Sequence, residues 1–307
     1  MSDLAQITET FDAWDWACVV VNLIAAFAGI FALKCWHGLP GRDEPAPMSA
    51  PQAGLAVVTS LLSFGLIFGV VTGLAAQSFA GLFGFTQTHL FTAAFIGQST
   101  AAGAMLALGL VAPGTLQWAP SLRLGDDPPP RTTWSLAAGR LGLILLGLFA
   151  LGFALTLVWK GLHLGWEELA ARGLLGEAPP DEPQDIIDSV LKTDVATWRF
   201  GTIVLAVVVG APIMEELAFR GLLYPGLRRL GTAARILHGR WFAVLATGVL
   251  FSVAHQSFSA ALPLFAFGAF MCLVRDRYGL PTCMAAHAAF NLWNLVWLKL
   301  APNAATL

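Results

Sequence analysis

The sequence predicts an all-α, polytopic membrane protein, and three observations support this fold class. Of the 307 residues, 57% are hydrophobic and only 12% are charged, whereas soluble domains contain about 25% charged residues. Apolar stretches recur along the chain. Their lengths are close to the roughly 20 residues that a helix needs to cross the hydrocarbon core of a bilayer. Basic residues gather in alternate loops between these stretches, as they do on the cytoplasmic side of membrane proteins.

Eight apolar stretches are candidate transmembrane helices, at residues 16–36, 54–76, 91–111, 136–159, 200–224, 241–256, 260–275 and 281–300. The sixth is short, so it can be tilted, begin in the aqueous phase or be partly re-entrant. No basic residue precedes the first stretch, so we expect that stretch to be a retained span and not a cleaved signal peptide.

The alternation of basic residues predicts the orientation of the chain. The loops after the first, third, fifth and seventh stretches carry Lys34, Arg42, Arg123, Arg131, Arg228, Arg229, Arg235, Arg240, Arg275 and Arg277. Such loops are expected on the cytoplasmic side, and both chain termini are therefore expected outside the cytoplasm.

The spans and their connections divide the chain into three regions. Residues 1–159 form an N-terminal region of four spans, residues 160–199 a loop outside the cytoplasm with interfacial helices, and residues 200–307 a four-span core that carries the candidate site. The loop contains the Pro-rich break APPDEP and a short predicted helix in QDIIDSVLKTD. It is either a lateral lid or an inert linker.

Most other special residues in the spans are interpreted as packing residues. Gly65, Gly69 and Gly73 form a small-xxx-small pattern, which is typical of close helix contacts. The isolated polar residues expected to form interhelical hydrogen bonds or interface anchors are Asn22, Gln98, Arg140 and Asn294. The four cysteines contain no CxxC pair and are expected to pack as small apolar residues: Cys18, Cys35, Cys272 and Cys283.

Charged residues interrupt the fifth span and require a physical reason. Glu215, Glu216 and Arg220 lie in the segment GAPIMEELAFRGLL, although each charge costs about 2.5 to 3.5 kcal/mol at the centre of a membrane helix. Glu216 and Arg220 are four residues apart and share a helix face, where they can form an ion pair. Glu215 is rotated by about 100° from Glu216 and has no such partner, so it is the stronger candidate for chemistry.

Two later spans supply side chains that complement Glu215. The sixth span ends with His255 in FSVAHQ, and the eighth carries His287 and Asn291, again four residues apart on one face. A single histidine in a membrane helix is most often an interhelical hydrogen-bond partner. Four groups on three helices favour a reaction instead, with Glu215 as a base on water, one imidazole to move a proton, and an imidazole and an amide to stabilise an oxyanion.

The same residue types are compatible with a second mechanism. Glu215, His255 and His287 would also suit a divalent metal such as zinc, because two imidazoles and one carboxylate leave an open position on the metal. The sequence contains no HExxH, no GxSxG and no suitable cysteine nucleophile near a histidine. Activation of water, with or without a metal, is the hydrolytic route that remains.

Three motifs follow one another in the chain: Glu215-Glu216-Leu-Ala-Phe-Arg220 matches EExxxR, Phe251-Ser-Val-Ala-His255 matches FxxxH, and His287-Ala-Ala-Phe-Asn291 matches HxxxN. Over roughly residues 183–297 the chain resembles the CPBP family, the Rce1-like CAAX-processing and bacteriocin-processing intramembrane endopeptidases.

The resemblance implies eight transmembrane helices enclosing an intramembrane active-site cavity. It implies that Glu215 and His255 activate water and that His287 and Asn291 form the oxyanion site. It also implies a supporting role for Glu216 and Arg220, and it favours a mechanism that requires no metal cofactor.

The predicted function is hydrolysis of a peptide bond in a membrane-associated or lipidated peptide or protein, with the lipid bilayer as the second partner. The alternatives are a non-catalytic bacteriocin-immunity or membrane-scaffold role and, less favoured, a transporter or proton relay. The net charge of −2 provides no basic field for nucleic acid. The resemblance implies a location in a bacterial inner membrane.

Overall fold

The computed structural model describes residues 12–37, 42–43, 48–83, 87–118, 122–123, 134–177, 185–236 and 239–302. Helices α1 to α6 are, in chain order, Ala13–His37, Ala50–Leu61, Gly69–Phe83, Gln87–Val111, Trp134–Ala171 and Asp185–Lys192. Helices α7 to α12 are Trp198–Val204, Ala211–Glu215, Tyr224–Ala233, Arg240–Ala254, Ala261–Tyr278 and Leu280–Leu300. The predicted all-α fold class is confirmed.

Three π-helical segments join some of these helices into longer rods. Segment π1 (Leu62–Phe68) joins α2 to α3, while π2 (Leu205–Gly210) and π3 (Glu216–Leu223) join α7, α8 and α9 into one rod, Trp198–Ala233, which we call the central rod. In a π-helical turn each backbone N–H bonds the carbonyl five residues earlier. The Ala211 N–H bonds the Ala206 oxygen in this way. The sequence did not predict these segments, which are frequent at functional sites.

Helical segments occupy all eight predicted span positions. Four of the described helices are long and apolar enough to cross a bilayer, namely Ala50–Leu82, His89–Val111, Ala138–Ala171 and Trp198–Ala233. Two further apolar helices, Ala13–Gly29 and Arg240–Ala254, are shorter. The structure thus supports a polytopic membrane protein, while eight crossings stay a prediction.

The connection after the fourth predicted span differs from expectation. Helix α5 continues without a break to Ala171, so the predicted boundary at residue 159 does not coincide with a helix end. The charged residues that begin at Lys160 change the composition of the helix without ending it. The expected short helix is present as α6, and the Pro-rich break at residues 178–183 lies outside the described residues.

Two loops meet at one end of the helix bundle. Strand β1 (Arg42–Asp43) follows α1, strand β2 (Leu122–Arg123) follows α4, and the two form an antiparallel pair with Arg42 opposite Arg123. The loops after the first and third predicted spans therefore lie on the same side, which the predicted orientation requires.

The central rod is the most enclosed of the four long helices. In its most apolar window of 18 residues, 56% of the residues are buried, compared with 17–28% in the other three. Leu217, Leu222 and Leu223 of the rod belong to a core cluster that includes Phe251 of α10 and Met271 of α11. Glu215, Glu216 and Arg220 of the rod are buried and are consequently surrounded by protein and not by lipid.

Close helix contacts do not involve the predicted glycine seam. A Cβ atom on Gly29 of α1 would lie 1.9 Å from the backbone oxygen of Leu146 in α5, so this glycine permits the two helices to touch. A Cβ atom on Gly65, Gly69 or Gly73 would have no described neighbour within 4 Å apart from its own helix backbone. The prediction for these three glycines is wrong, because their spacing does not reveal which helix face meets protein.

Other packing residues behave largely as expected. The Asn22 amide donates to the Cys18 backbone oxygen at 2.9 Å and accepts from the Trp293 indole at 3.3 Å, which links α1 to α12. Cys18, Cys272 and Cys283 are free and buried. The side chain of Cys35 lies outside the described part of the structure.

Candidate active site

Glu216 and Arg220 form a buried ion pair in π3. Arg220 Nη1 lies 3.0 Å from Glu216 Oε1, and both side chains are fully buried. Arg220 also donates to the Gly268 backbone oxygen at 3.2 Å and lies 4.6 Å from the centre of the Phe251 ring. Because loss of either charge would leave the other buried alone, this pair fixes the packing of the central rod against α10 and α11.

His287 connects the ion pair to Glu215. Its Nδ1 lies 2.9 Å from Glu216 Oε1, so one carboxylate oxygen serves both Arg220 and His287. An ionised carboxylate can only accept, and Nδ1 therefore carries the hydrogen. The other ring nitrogen, Nε2, lies 3.9 Å from Glu215 Oε2.

His255 reaches the same oxygen of Glu215 from another helix. It directly follows the last residue of α10, and its Nδ1 lies 2.8 Å from the Phe251 backbone oxygen. A carbonyl oxygen can only accept, so this Nδ1 also carries a hydrogen. Its Nε2 lies 3.8 Å from Glu215 Oε2. The structure thus brings Glu215, His255 and His287 together.

These hydrogen bonds fix which ring nitrogen of each histidine carries a hydrogen and which one faces Glu215 as an acceptor. When both rings are neutral, each presents a lone pair at Nε2, so two nitrogen acceptors and the Glu215 carboxylate face one another. Glu215 Oε2 is buried and has no hydrogen-bond partner among the described residues. One added proton, on a ring or on the carboxyl group, gives this set of acceptors a donor; at 3.8 and 3.9 Å a bridging water is needed to connect it to the other groups. The arrangement is therefore suited to hold and move a proton.

Asn291 binds the backbone of the central rod. Its Nδ2 donates to the Val207 backbone oxygen at 2.8 Å. In the π-helical register, the partner of that oxygen would be the backbone N–H of residue 212, five positions later. Residue 212 is proline and has no N–H, so Asn291 supplies the missing donor. The bond explains why α12 lies against π2.

A cavity of about 420 Å³ opens onto these side chains. Its polar lining residues are Gln98, Glu215, His255, His287, Asn291 and Asn294. The rest of the lining is apolar and includes Phe91 of α4 and Ile187 and Val190 of α6. The cavity therefore contains all four residues that the sequence identified as candidates for chemistry, between apolar walls.

Gln98 is the lining residue that the sequence analysis misjudged. It is only 6% exposed, and its amide oxygen is buried without a hydrogen-bond partner in the described ranges. A Cβ atom on Gly210 of π2 would lie 2.2 Å from that oxygen, so the glycine makes room for the amide. The interhelical hydrogen bond expected of Gln98 is not present between described residues.

Metal binding was the alternative use of the same side chains. Among the residues that the structure describes, no group of three or more His, Cys, Asp or Glu side chains has the arrangement of a metal site. The set that would hold a metal, Glu215, His255 and His287, stays a prediction.

Comparison with known proteins finds a family model that is similar to part of the chain. Residues 197–293 match the family model described as Type II CAAX prenyl endopeptidase Rce1-like. This segment contains the three motifs and most of the central rod. No curated protein and no solved structure matches the chain at a significant level.

Proposed function

We propose that this chain, whose residues 197–293 carry an Rce1-like domain of the CAAX protease-like family, is an intramembrane endopeptidase that activates water with Glu215. The apolar helices and the family together indicate an integral membrane protein of a protease family. The observation that carries the proposal is the approach of two imidazole Nε2 atoms to one buried oxygen of Glu215, at 3.8 and 3.9 Å, beside a cavity.

The spacing of the three groups suits one bridging water. Separations of 3.8 and 3.9 Å are too long for direct hydrogen bonds. A water on the cavity side can lie about 2.8 Å from the Glu215 oxygen and from each Nε2. It can donate to two of these atoms and accept from the third when that atom is protonated.

The proposed reaction begins with attack of this water on the carbonyl carbon of the scissile peptide bond. Glu215 accepts a proton as the carbon–oxygen bond forms and the carbonyl π electrons move onto oxygen. The tetrahedral intermediate then collapses and the carbon–nitrogen bond breaks, while the proton passes from Glu215 to His255 Nε2 and from there to the leaving nitrogen. The products are a carboxylic acid and an amine, and the site returns to its starting protonation.

His287 and Asn291 are assigned to the oxyanion. Since His287 Nδ1 already donates to Glu216, its Nε2 can donate to an oxyanion only as part of an imidazolium. Asn291 uses one amide hydrogen for Val207, and the second is available for the intermediate.

The proposed substrate is a peptide segment of a membrane-associated or lipidated protein. The cavity is lined largely by apolar side chains from α4, α6 and α12, which suit a chain segment that enters from lipid. The proposed location is a bacterial inner membrane, with both chain termini outside the cytoplasm. The pairing of β1 with β2 is consistent with the loops after the first and third spans sharing one side, and the basic residues of these loops favour the cytoplasmic side.

The test compares new protein N-termini in membrane fractions of cells that produce the wild-type chain, Glu215→Gln or Glu177→Gln. Glu215→Gln removes the base and nearly preserves the shape. Glu177→Gln makes the same change at an exposed position outside the cavity. All three proteins must be present in equal, folded amounts.

We expect a set of N-termini that occurs with the wild type and Glu177→Gln and is absent with Glu215→Gln. These N-termini would also identify the substrates and cleavage sites. Three identical profiles would refute the proposal and would favour a non-catalytic bacteriocin-immunity or scaffold role.

A further inference from the structure

Gln98 of α4 carries the only polar group in the cavity lining, among the residues described, that comes from the N-terminal part of the chain. Gln98 is only 6% exposed, yet its amide oxygen is buried without a hydrogen-bond partner among the described residues. An amide held in an apolar cavity without a partner is destabilising. A ligand in the cavity that donates a hydrogen bond to this oxygen would remove that cost.

The position of Gln98 relative to Glu215 can be estimated from the central rod. The Gln98 amide oxygen lies against Gly210, and Glu215 follows five residues later in the same rod. At about 1.5 Å per residue, the two sites are separated by roughly 7 to 8 Å along the rod. An extended peptide rises about 3.3 Å per residue, so this separation corresponds to about two residues of bound substrate.

The chemistry of a primary amide matches that of a peptide main chain. A glutamine side chain offers one acceptor and a donor NH₂ group, and an extended backbone offers C=O and N–H groups in return. Within a bilayer, a bound peptide has no bulk water to bond these groups. We propose that Gln98 binds the main chain of the substrate about two residues from the scissile bond, a role that rests on the proposed peptidase activity.

Gly210 is the structural partner of this contact. With no side chain, Gly210 leaves the space that the Gln98 amide occupies, since a Cβ atom there would lie 2.2 Å from the amide oxygen and 2.9 Å from the Phe95 ring. Gly210→Ala should therefore displace the amide while retaining glutamine at position 98. This variant perturbs the position of the amide, whereas Gln98→Leu removes it.

The experiment measures KM and kcat with a synthetic peptide that spans a cleavage site identified by its dependence on Glu215. The variants are Gln98→Leu and Gly210→Ala, and the matched control is Gln77→Leu in α3, where the glutamine is exposed and outside the cavity. The midpoint of thermal unfolding is measured for each purified protein in detergent.

We expect Gln98→Leu to raise KM roughly three- to tenfold with little change in kcat, because a hydrogen bond made in both the bound and transition states is lost. Gly210→Ala should raise KM in the same direction, and Gln77→Leu should change neither constant. The unfolding midpoint of Gln98→Leu should stay equal to the wild-type value or rise, since an unpartnered buried amide is removed.

Each opposite outcome is decisive. A fall in the unfolding midpoint of Gln98→Leu would show that the amide serves packing, and an unchanged KM would show that it does not contact the substrate. Either result overturns the role of Gln98 while leaving the proposed peptidase intact. Absence of any Glu215-dependent cleavage overturns the peptidase and, with it, the substrate that Gln98 would bind.

Discussion

The bond between Asn291 and the Val207 carbonyl makes a quantitative prediction about stability. Asn291→Ala removes the donor and leaves a backbone oxygen without a partner inside the bundle, which costs about 1 to 3 kcal/mol of unfolding free energy. The cost arises because Pro212 provides no N–H in the π-helical register. Pro212→Ala would restore that N–H.

The combination of the two changes isolates the cause. Pro212→Ala should change the free energy of unfolding more favourably in the Asn291→Ala protein than in the wild type, by about 1 kcal/mol or more. The reason is that the Val207 oxygen lacks a donor only in the Asn291→Ala protein. The assay is reversible denaturant or thermal unfolding of the four purified proteins in one detergent. Asn294→Ala, an exposed amide on the same helix, should change stability by less than about 0.5 kcal/mol.

Additive effects of Asn291→Ala and Pro212→Ala would refute the reasoning. Additivity would mean that the proline and the amide act on separate backbone groups. A loss as large for Asn294→Ala as for Asn291→Ala would also refute it, since the hydrogen bond to Val207 would then not be the source of the effect.

Three other predictions address the ion pair, the helix contacts and the metal alternative. Arg220→Leu should lower the unfolding free energy by about 3 to 5 kcal/mol, because Glu216 would remain buried without its partner. The control Arg172→Leu breaks an exposed ion pair and should cost less than about 1 kcal/mol. Equal losses for the two variants in unfolding assays would contradict the burial argument. Gly29→Ala should destabilise the protein through contact with α5, while Gly69→Ala should not, and the order of their melting midpoints tests this. Cleavage that depends on Glu215 should survive treatment with a zinc chelator; loss of cleavage, restored by zinc, would instead assign Glu215, His255 and His287 as metal ligands.

Much of the helical architecture could be predicted because hydrophobicity and helical spacing are local properties. Apolar stretches placed a helical segment at each of the eight positions. The spacing of four residues placed Glu216 and Arg220 on one face, where they lie 3.0 Å apart. The ordered motifs drew attention to Glu215, His255 and His287, which meet although 72 residues separate the first from the last.

Other features depend on contacts that no local pattern encodes. The π-helical register of the central rod is such a feature, since Pro212 was its only nearby signal and prolines also occur in ordinary helices. Gln98 resembled a packing residue because the sequence does not show that its amide lies against Gly210 in a cavity. The spacing of Gly65, Gly69 and Gly73 predicted a helix contact for the same reason: the tertiary fold, and not the spacing, decides which face of a helix meets another helix.

The length of α5 bears on how water reaches a site placed among lipids. At 1.5 Å per residue its 38 residues extend about 57 Å, nearly twice the roughly 30 Å of hydrocarbon. Trp159 and Trp166, side chains of a type that concentrates at membrane surfaces, lie in tilted and edge-to-face arrangements with Phe258, with ring centres 5.1 and 6.4 Å away. Phe258 lies three residues after His255, so we expect that histidine to lie near a hydrated boundary. A hydrolase consumes one water for every bond it cleaves. If the proposed activity holds, we expect this end of the bundle to provide a short route for that water, which a thicker bilayer would lengthen.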